Sequence, residues 1–346
     1  MKDFESSKYC KKIKIGKRIL KFGRKSLYED YYSFLYELKK KNIVKSKLIY
    51  KAYILRRINY LPYRLASKDY GKFNNFRESL DATTIPKAEG SLRDLQLKIL
   101  ALASEIFYDL EKETGLKPML HGGSLIGALR HGGFIPWDDD MDFFLMRNQF
   151  NIAVDYFKKK YIYIETSAWD WDRYYELLAA ELAEHPGTIF CIKTSTAFKF
   201  FKGEKDDYIF VDLFAGDYYS ETISHKDMRN YINYMKNELH KDEYKTFGEK
   251  EILYEKEKKR GIVSDCVTSR IHYGIDEHGF YFCPFYAFRN YNEVFPEKEI
   301  TFEGLTFWAP NNVDIFLRKM YGDYMKLPVD ITPKHEIDRK STNKSL

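Results

Sequence analysis

No stretch of this 346-residue chain approaches the roughly 18 consecutive apolar residues of a membrane span. The opening MKDFESSKYCKKIKIGK also lacks the apolar core of a secretion signal, so the expected location is cytoplasmic. Cysteine is scarce: Cys10, Cys191, Cys266 and Cys283 are too scattered for a disulfide framework. Cys266, His272, His278 and Cys283 do fall within eighteen residues, but their gaps are wider than the tight pairs of a structural zinc site. They read as core cysteines and surface histidines. There is no internal repeat and no low-complexity tract.

What is present is a globular composition, 44% hydrophobic and 17% aromatic, enough for one large domain or two modest ones. The net charge of +6 is unevenly spread. Residues 1–80 hold 22 Lys/Arg against 7 Asp/Glu, a net +15, which leaves −9 for the remaining 266. Residues 1–85 are expected to form a basic, mainly helical extension, suited to an anionic membrane surface or to plain solvation; nucleic acid is not the expected partner. The stretch KFNNFRESLDATTIPKAEG has the look of a linker. A catalytic domain is expected over 86–335, with a flexible tail at 336–346.

Ser91 and Asp94 resemble a capping box opening a helix, whose stripe runs through Leu92, Leu95, Ile99, Leu102, Ile106 and Leu110 until Gly115. Gly122-Gly123-Ser124 then opens a short helix over 125–130, stopped by Gly132 and Gly133. In IPWDDDMDFFL four aspartates precede an apolar run. Strand alternation puts Asp140 and Asp142 on one face; if the extended run starts early, Asp138 joins them and Asp139 does not. A second strand, DDYIFVDLF, carries Asp212 in its apolar middle, where an uncompensated ion costs several kcal/mol; Asp212 needs a partner. FEGLTFWAP reads as a strand pair or turn, and residues 312–321 as a helix closed by Gly322.

Two unit charges 4 Å apart repel by about 4 kcal/mol at an effective dielectric of 20. A divalent cation reverses that sign, and carboxylate oxygens suit Mg²⁺ or Mn²⁺. Asp140, Asp142 and Asp212 are therefore the expected ligands, with Asp138 in reserve. Gly123 and Ser124, at a helix N-terminus, are placed to cradle phosphate, and Arg130 to neutralise it. Lys193 reads as a surface lysine. The order of helix, Gly-Gly-Ser, short helix, Asp-x-Asp strand and single-Asp strand is that of the nucleotidyltransferase fold: an α/β (α+β) domain with a mixed sheet flanked by helices.

The segment GGSLIGALRHGGFIPWDDDMDFFL resembles the signature of the LicD family of phosphocholine transferases, which includes fukutin-related ribitol-phosphate transferases. LRDLQLKILALASEI, VDLFAGD and FEGLTFWAPNNVDIFLRKMYGDYMKLP followed by His335 resemble three further blocks of that family in order. Where the family strand often has Phe-Pro before its second Asp, this chain reads Phe214-Ala215-Gly216-Asp217. The resemblance implies a CDP-alcohol donor bound over the metal, attack by a glycan hydroxyl, release of CMP, and a donor-binding role for His335. It also implies a cell-envelope glycan as acceptor, which fits an enzyme at the inner face of the cytoplasmic membrane. The rivals are a nucleotidyltransferase releasing pyrophosphate and a non-catalytic polyanion-binding protein. The aromatic loop at 169–175 is a candidate for stacking on a base or sugar, for caging a quaternary ammonium, or for packing.

Overall fold

The computed structural model describes residues 81–165, 171–194, 197–204, 207–238, 247–275 and 288–327. Residues 1–80 of the basic extension, His278, Cys283, His335 and the C-terminal tail lie outside them. The chain divides into two compact units, residues 1–80 and 81–346, and the second carries everything described below.

Its elements follow in chain order: α1 (Gly90–Thr114), β1 (Met119–Leu120), α2 (Gly122–His131), β2 (Asp142–Met146), α3 (Arg147–Lys160), β3 (Ile162–Glu165), α4 (Trp171–Glu184), β4 (Phe190–Lys193), β5 (Phe198–Glu204), β6 (Asp207–Tyr219), α5 (His225–Glu238), α6 (Phe247–Lys259), β7 (Val263–Ser264), β8 (Arg270–Tyr273), β9 (Arg289–Asn290), α7 (Tyr291–Val294), β10 (Lys298–Phe302), β11 (Leu305–Ala309) and α8 (Val313–Tyr321). One mixed sheet runs β10-β11-β1-β2-β6-β5-β4-β3, with β7 and β8 joining the far end of β6 and β9 pairing with β8. The mixed sheet flanked by helices is the expected fold.

The near-continuous apolar run of β2 is explained by burial on both faces. Phe143 meets Phe107 of α1 with ring centroids 4.1 Å apart. Phe144, pointing oppositely, stacks on Phe316 of α8 at 5.8 Å. Aromatic packing continues on the α1 side through Phe107, Phe157 and Phe200. The α1 stripe behaves as its spacing predicts, with Ile99, Leu102, Ile106 and Leu110 buried. Its start does not: the helix begins at Gly90 with Glu89 as N-cap and no side-chain cap, so Ser91 sits inside the first turn and is too late to cap it. Its end does, because Gly115 takes the left-handed conformation (φ 72°) and donates to the Glu111 carbonyl. α8 is closed by Gly322 as read, and Asn312, read as its first residue, is its N-cap, accepting from the Ile315 N–H.

The hairpin β10–β11 turns through Glu303 and Gly304, both at positive φ. Glu303 reaches back to accept from Arg93 of α1 at 2.6 and 2.9 Å, from Lys87 and from the Phe134 N–H. Although burial opposes ionisation, those donors hold its carboxyl down to about 2. Gln96, fully buried in α1, donates to the carbonyls of Asp138 (2.9 Å) and Ile135 (3.3 Å). Two distant elements thus hold the loop that carries the aspartates.

The aromatic loop expected at 169–175 is corrected in part. From Trp171 on, the chain is helix α4, because Tyr174, Leu178 and Leu182 form one apolar stripe packed on Phe190 and Phe201. Of the possible zinc residues, Cys266 is exposed and His272 is buried beside Tyr219 and Phe288, the reverse of the expected distribution.

Candidate active site

Parallel pairing of β2 with β6 sets Asp142 directly beside Asp212, and the register continues to Met146 and Gly216. The backbone of Asp142 is fixed from both sides: its N–H donates to Ser124 Oγ (2.9 Å) and its carbonyl accepts from the His121 N–H (2.8 Å). Asp212 donates its N–H to the Met141 carbonyl at 3.0 Å. Helix α2 begins under these acids. A Cβ on Gly122 would stand 2.7 Å from Asp142 Oδ2, and one on Gly123 2.6 Å from Asp138 Oδ2. The two glycines therefore let the carboxylates come down onto the positive end of the helix.

Charge accumulates here. Burial, with the charges of Asp140, Asp212 and Asp138, pushes the Asp142 carboxyl well above the usual carboxylate range, while Lys199 pulls it the other way. Lys199 of β5 is paired across the sheet with Asp212, and its ammonium bonds Asp212 Oδ2. The other oxygen, Asp212 Oδ1, is buried without a hydrogen-bond partner. Among the described residues no set of three or more His, Cys, Asp or Glu side chains is gathered closely enough to hold a metal ion as it stands. The donor chemistry nevertheless fits a hard divalent cation. It is all carboxylate oxygen, it includes a buried oxygen lacking a partner, and it includes an acid that burial and its neighbours hold back from ionising.

Asp138, Asp140, Asp142 and Asp212 are thus brought together, with Gly123 and Ser124 beside them. Arg130, buried in α2, feels the charge of Asp138, but one of its nitrogens donates to the Tyr324 carbonyl (2.6 Å) and another to His131 Nε2 (2.9 Å). Ser124 spends its oxygen on the Asp142 N–H. Asp139, expected on the opposite face and peripheral, is fully buried. Lys193 is corrected: it is fully buried, its ammonium 4.8 Å from the Phe150 ring centroid. Asp217 binds Arg147 through two bonds (2.8 and 3.0 Å) and accepts from the Ile275 N–H, so β6 runs on without a turn at Ala215-Gly216.

Lys199 and Gln96 were not singled out in the sequence. For Lys199 a signal existed: β5 and β6 are separated by only two residues, and a hairpin centred there sets Lys199 opposite Asp212.

The family model for LicD/FKTN/FKRP, nucleotidyltransferase domain, matches residues 115–312, more than half of the chain. The lipopolysaccharide cholinephosphotransferase LicD of Haemophilus influenzae is 28% identical over 273 residues, covering 71% of this chain and 96% of that protein. The matched residues include the helix N-terminus, both Asp-bearing strands and the hairpin that braces the acidic loop, and the chain belongs to the LicD family of nucleotidyltransferase-fold enzymes.

Proposed function

We propose that this enzyme transfers a phospho-alcohol, phosphocholine first among them, from a CDP-activated donor to a hydroxyl of a cell-surface glycan such as lipopolysaccharide, releasing CMP. The observation that carries the reading is the register pair Asp142 and Asp212 with Asp138 and Asp140 crowding the same point, above a helix N-terminus opened by two glycines. The similar Haemophilus protein, a lipopolysaccharide cholinephosphotransferase, supports the choice of alcohol and acceptor.

Asp140, Asp142 and Asp212 would hold Mg²⁺ or Mn²⁺, with Asp138 as a further or outer ligand. When bound, such a cation neutralises charge on the transferring phosphate. The α2 N-terminus with Gly123 orients the phosphate, and Arg130 adds positive charge at its side. Ser124 holds the Asp142 backbone so that its carboxylate faces the phosphate. Lys199 bonds Asp212 Oδ2 and aligns the carboxylate; once Lys199 yields that oxygen, Asp212 can accept the acceptor hydroxyl's proton. The His335 role and the basic surface of residues 1–85 belong to the same proposal, the latter holding the enzyme against anionic lipid at the inner face of the membrane.

Folded Asp142→Asn and Asp212→Asn variants are expected to lose on the order of 10³-fold in metal-dependent turnover, several kcal/mol of barrier. Full turnover in either would sink the site assignment. Pyrophosphate in place of CMP as the leaving product would instead establish nucleotidyl transfer.

A further inference from the structure

Next to the crowded acids lies the opposite situation, a buried cation lacking a counter-ion. Arg289 of β9 is 2% exposed. Its guanidinium sits between the rings of Tyr273 and Phe316, 4.7 and 4.5 Å from their centroids. Its Nε is buried without a hydrogen-bond partner, and no carboxylate pairs with it among the described residues. Ring faces attract the charge, but they accept none of the five N–H bonds that a guanidinium offers. A buried cation in this condition is costly to the fold unless an anion arrives to pair with it.

A second orphan faces the same space. His121, also buried, leaves Nδ1 without a partner. Its imidazole can present an N–H into that space. His121 and Arg289 line one cavity of about 10 Å³, with Phe144, Gly216, Tyr273 and Phe316 among its walls. That is room for a single oxygen-sized atom.

None of the four aspartates lines the cavity, but His121 and Tyr321 link it to them. His121 immediately precedes Gly122 and donates its backbone N–H to the Asp142 carbonyl. The hydroxyl of Tyr321 lies 3.6 Å from where a Gly122 Cβ would stand, and the charges of Asp142, Asp138 and Arg289 all act on it. We propose that Arg289 and His121 form an oxyanion subsite that receives one phosphoryl oxygen of the phosphate-bearing substrate, beside the carboxylate cluster. The proposal rests on reading that cluster as a phospho-transfer centre. It resolves both imbalances together: the acids need a cation, the arginine needs an anion, and a metal-bound phosphate supplies the two side by side.

The test uses the full chain, Arg289→Met and Arg289→Lys. Inorganic pyrophosphate binding is followed by calorimetry with Mg²⁺, and Mn²⁺ binding without pyrophosphate by electron paramagnetic resonance. Arg289→Met is expected to weaken pyrophosphate binding by at least about tenfold, leave Mn²⁺ binding within about twofold, and hold or raise the Tm, because an unpaired buried charge is gone. A purely structural arginine would lower the Tm instead. Arg289→Lys keeps the charge and loses the fork, so a loss of about threefold or more is expected, and this variant decides the matter if the Met variant does not fold. Pyrophosphate affinity unchanged in a folded variant would overturn the subsite and leave the cavity to water. Intact Mn²⁺ binding in Asp142→Asn would overturn the carboxylate reading instead, and that outcome is read separately from the Arg289 effect.

Discussion

Gly122 and Gly123 stand where any side chain would strike an aspartate, and that closeness has a cost that the metal-free protein bears. Asp142 is the residue that bears it: its carboxyl is held well above the ordinary range by burial and by Asp140, Asp212 and Asp138. A carboxyl whose folded pKa is raised binds its proton more tightly in the native state. Its contribution to stability is therefore present at acid pH and is lost as pH rises from the ordinary carboxylate range through the raised folded value. Without metal at pH 7, Asp142→Asn is expected to be more stable than the wild type by about 0.5–2 kcal/mol, a few degrees in Tm, and the gap should close on acidification. Mg²⁺ should raise the wild-type Tm and leave the variant's unmoved. A variant less stable than the wild type in EDTA at pH 7 would show that the four charges do not repel as described. The grouping of Asp140 with Asp142 was legible from their spacing, although the strand itself begins only at Asp142. Arg289 was not, because its surroundings come from β8, α8 and the turn before α2, and no local pattern announces a contact among segments so far apart in the chain.

At the scale of elements, the acidic loop is positioned by side chains from outside it. Gln96 in α1 takes the Asp138 and Ile135 carbonyls, and the hairpin tip at Glu303 takes the Phe134 N–H while gripping Arg93. Supporting contacts of this kind tune a metal site without touching the metal, commonly by 10–100-fold in affinity. Gln96→Leu is expected to weaken Mn²⁺ binding by about tenfold and to raise the Mg²⁺ concentration needed for half-maximal turnover, with a smaller effect on the rate at saturating metal. Equal metal affinity in a folded Gln96→Leu would show that the loop holds Asp138 unaided. The sequence carried the elements better than their ends. The 3.6-residue stripe of α1 and the glycines that close α1 and α8 were readable because each depends on neighbours within one turn. Ser91 misled because a local capping pattern says nothing of where tertiary packing starts the helix, and Lys193 because polarity alone does not reveal a ring beneath a lysine.

Across the whole molecule, charge is divided by position in the chain, basic in residues 1–80 and acidic beyond. No helix among the described residues is long and apolar enough to cross a membrane. If the basic part attaches the enzyme to anionic lipid, the full chain should sediment with phosphatidylserine-containing vesicles but not with neutral ones, and salt should release it. Equal binding to neutral vesicles would point to apolar insertion instead. The transfer itself is tested most directly by supplying the purified chain with Mg²⁺ and a panel of CDP-alcohols together with lipopolysaccharide, and identifying the nucleotide released. The account predicts CMP, with CDP-choline the best donor and EDTA abolishing the reaction. Pyrophosphate as product, or CMP release undiminished in EDTA, would contradict it.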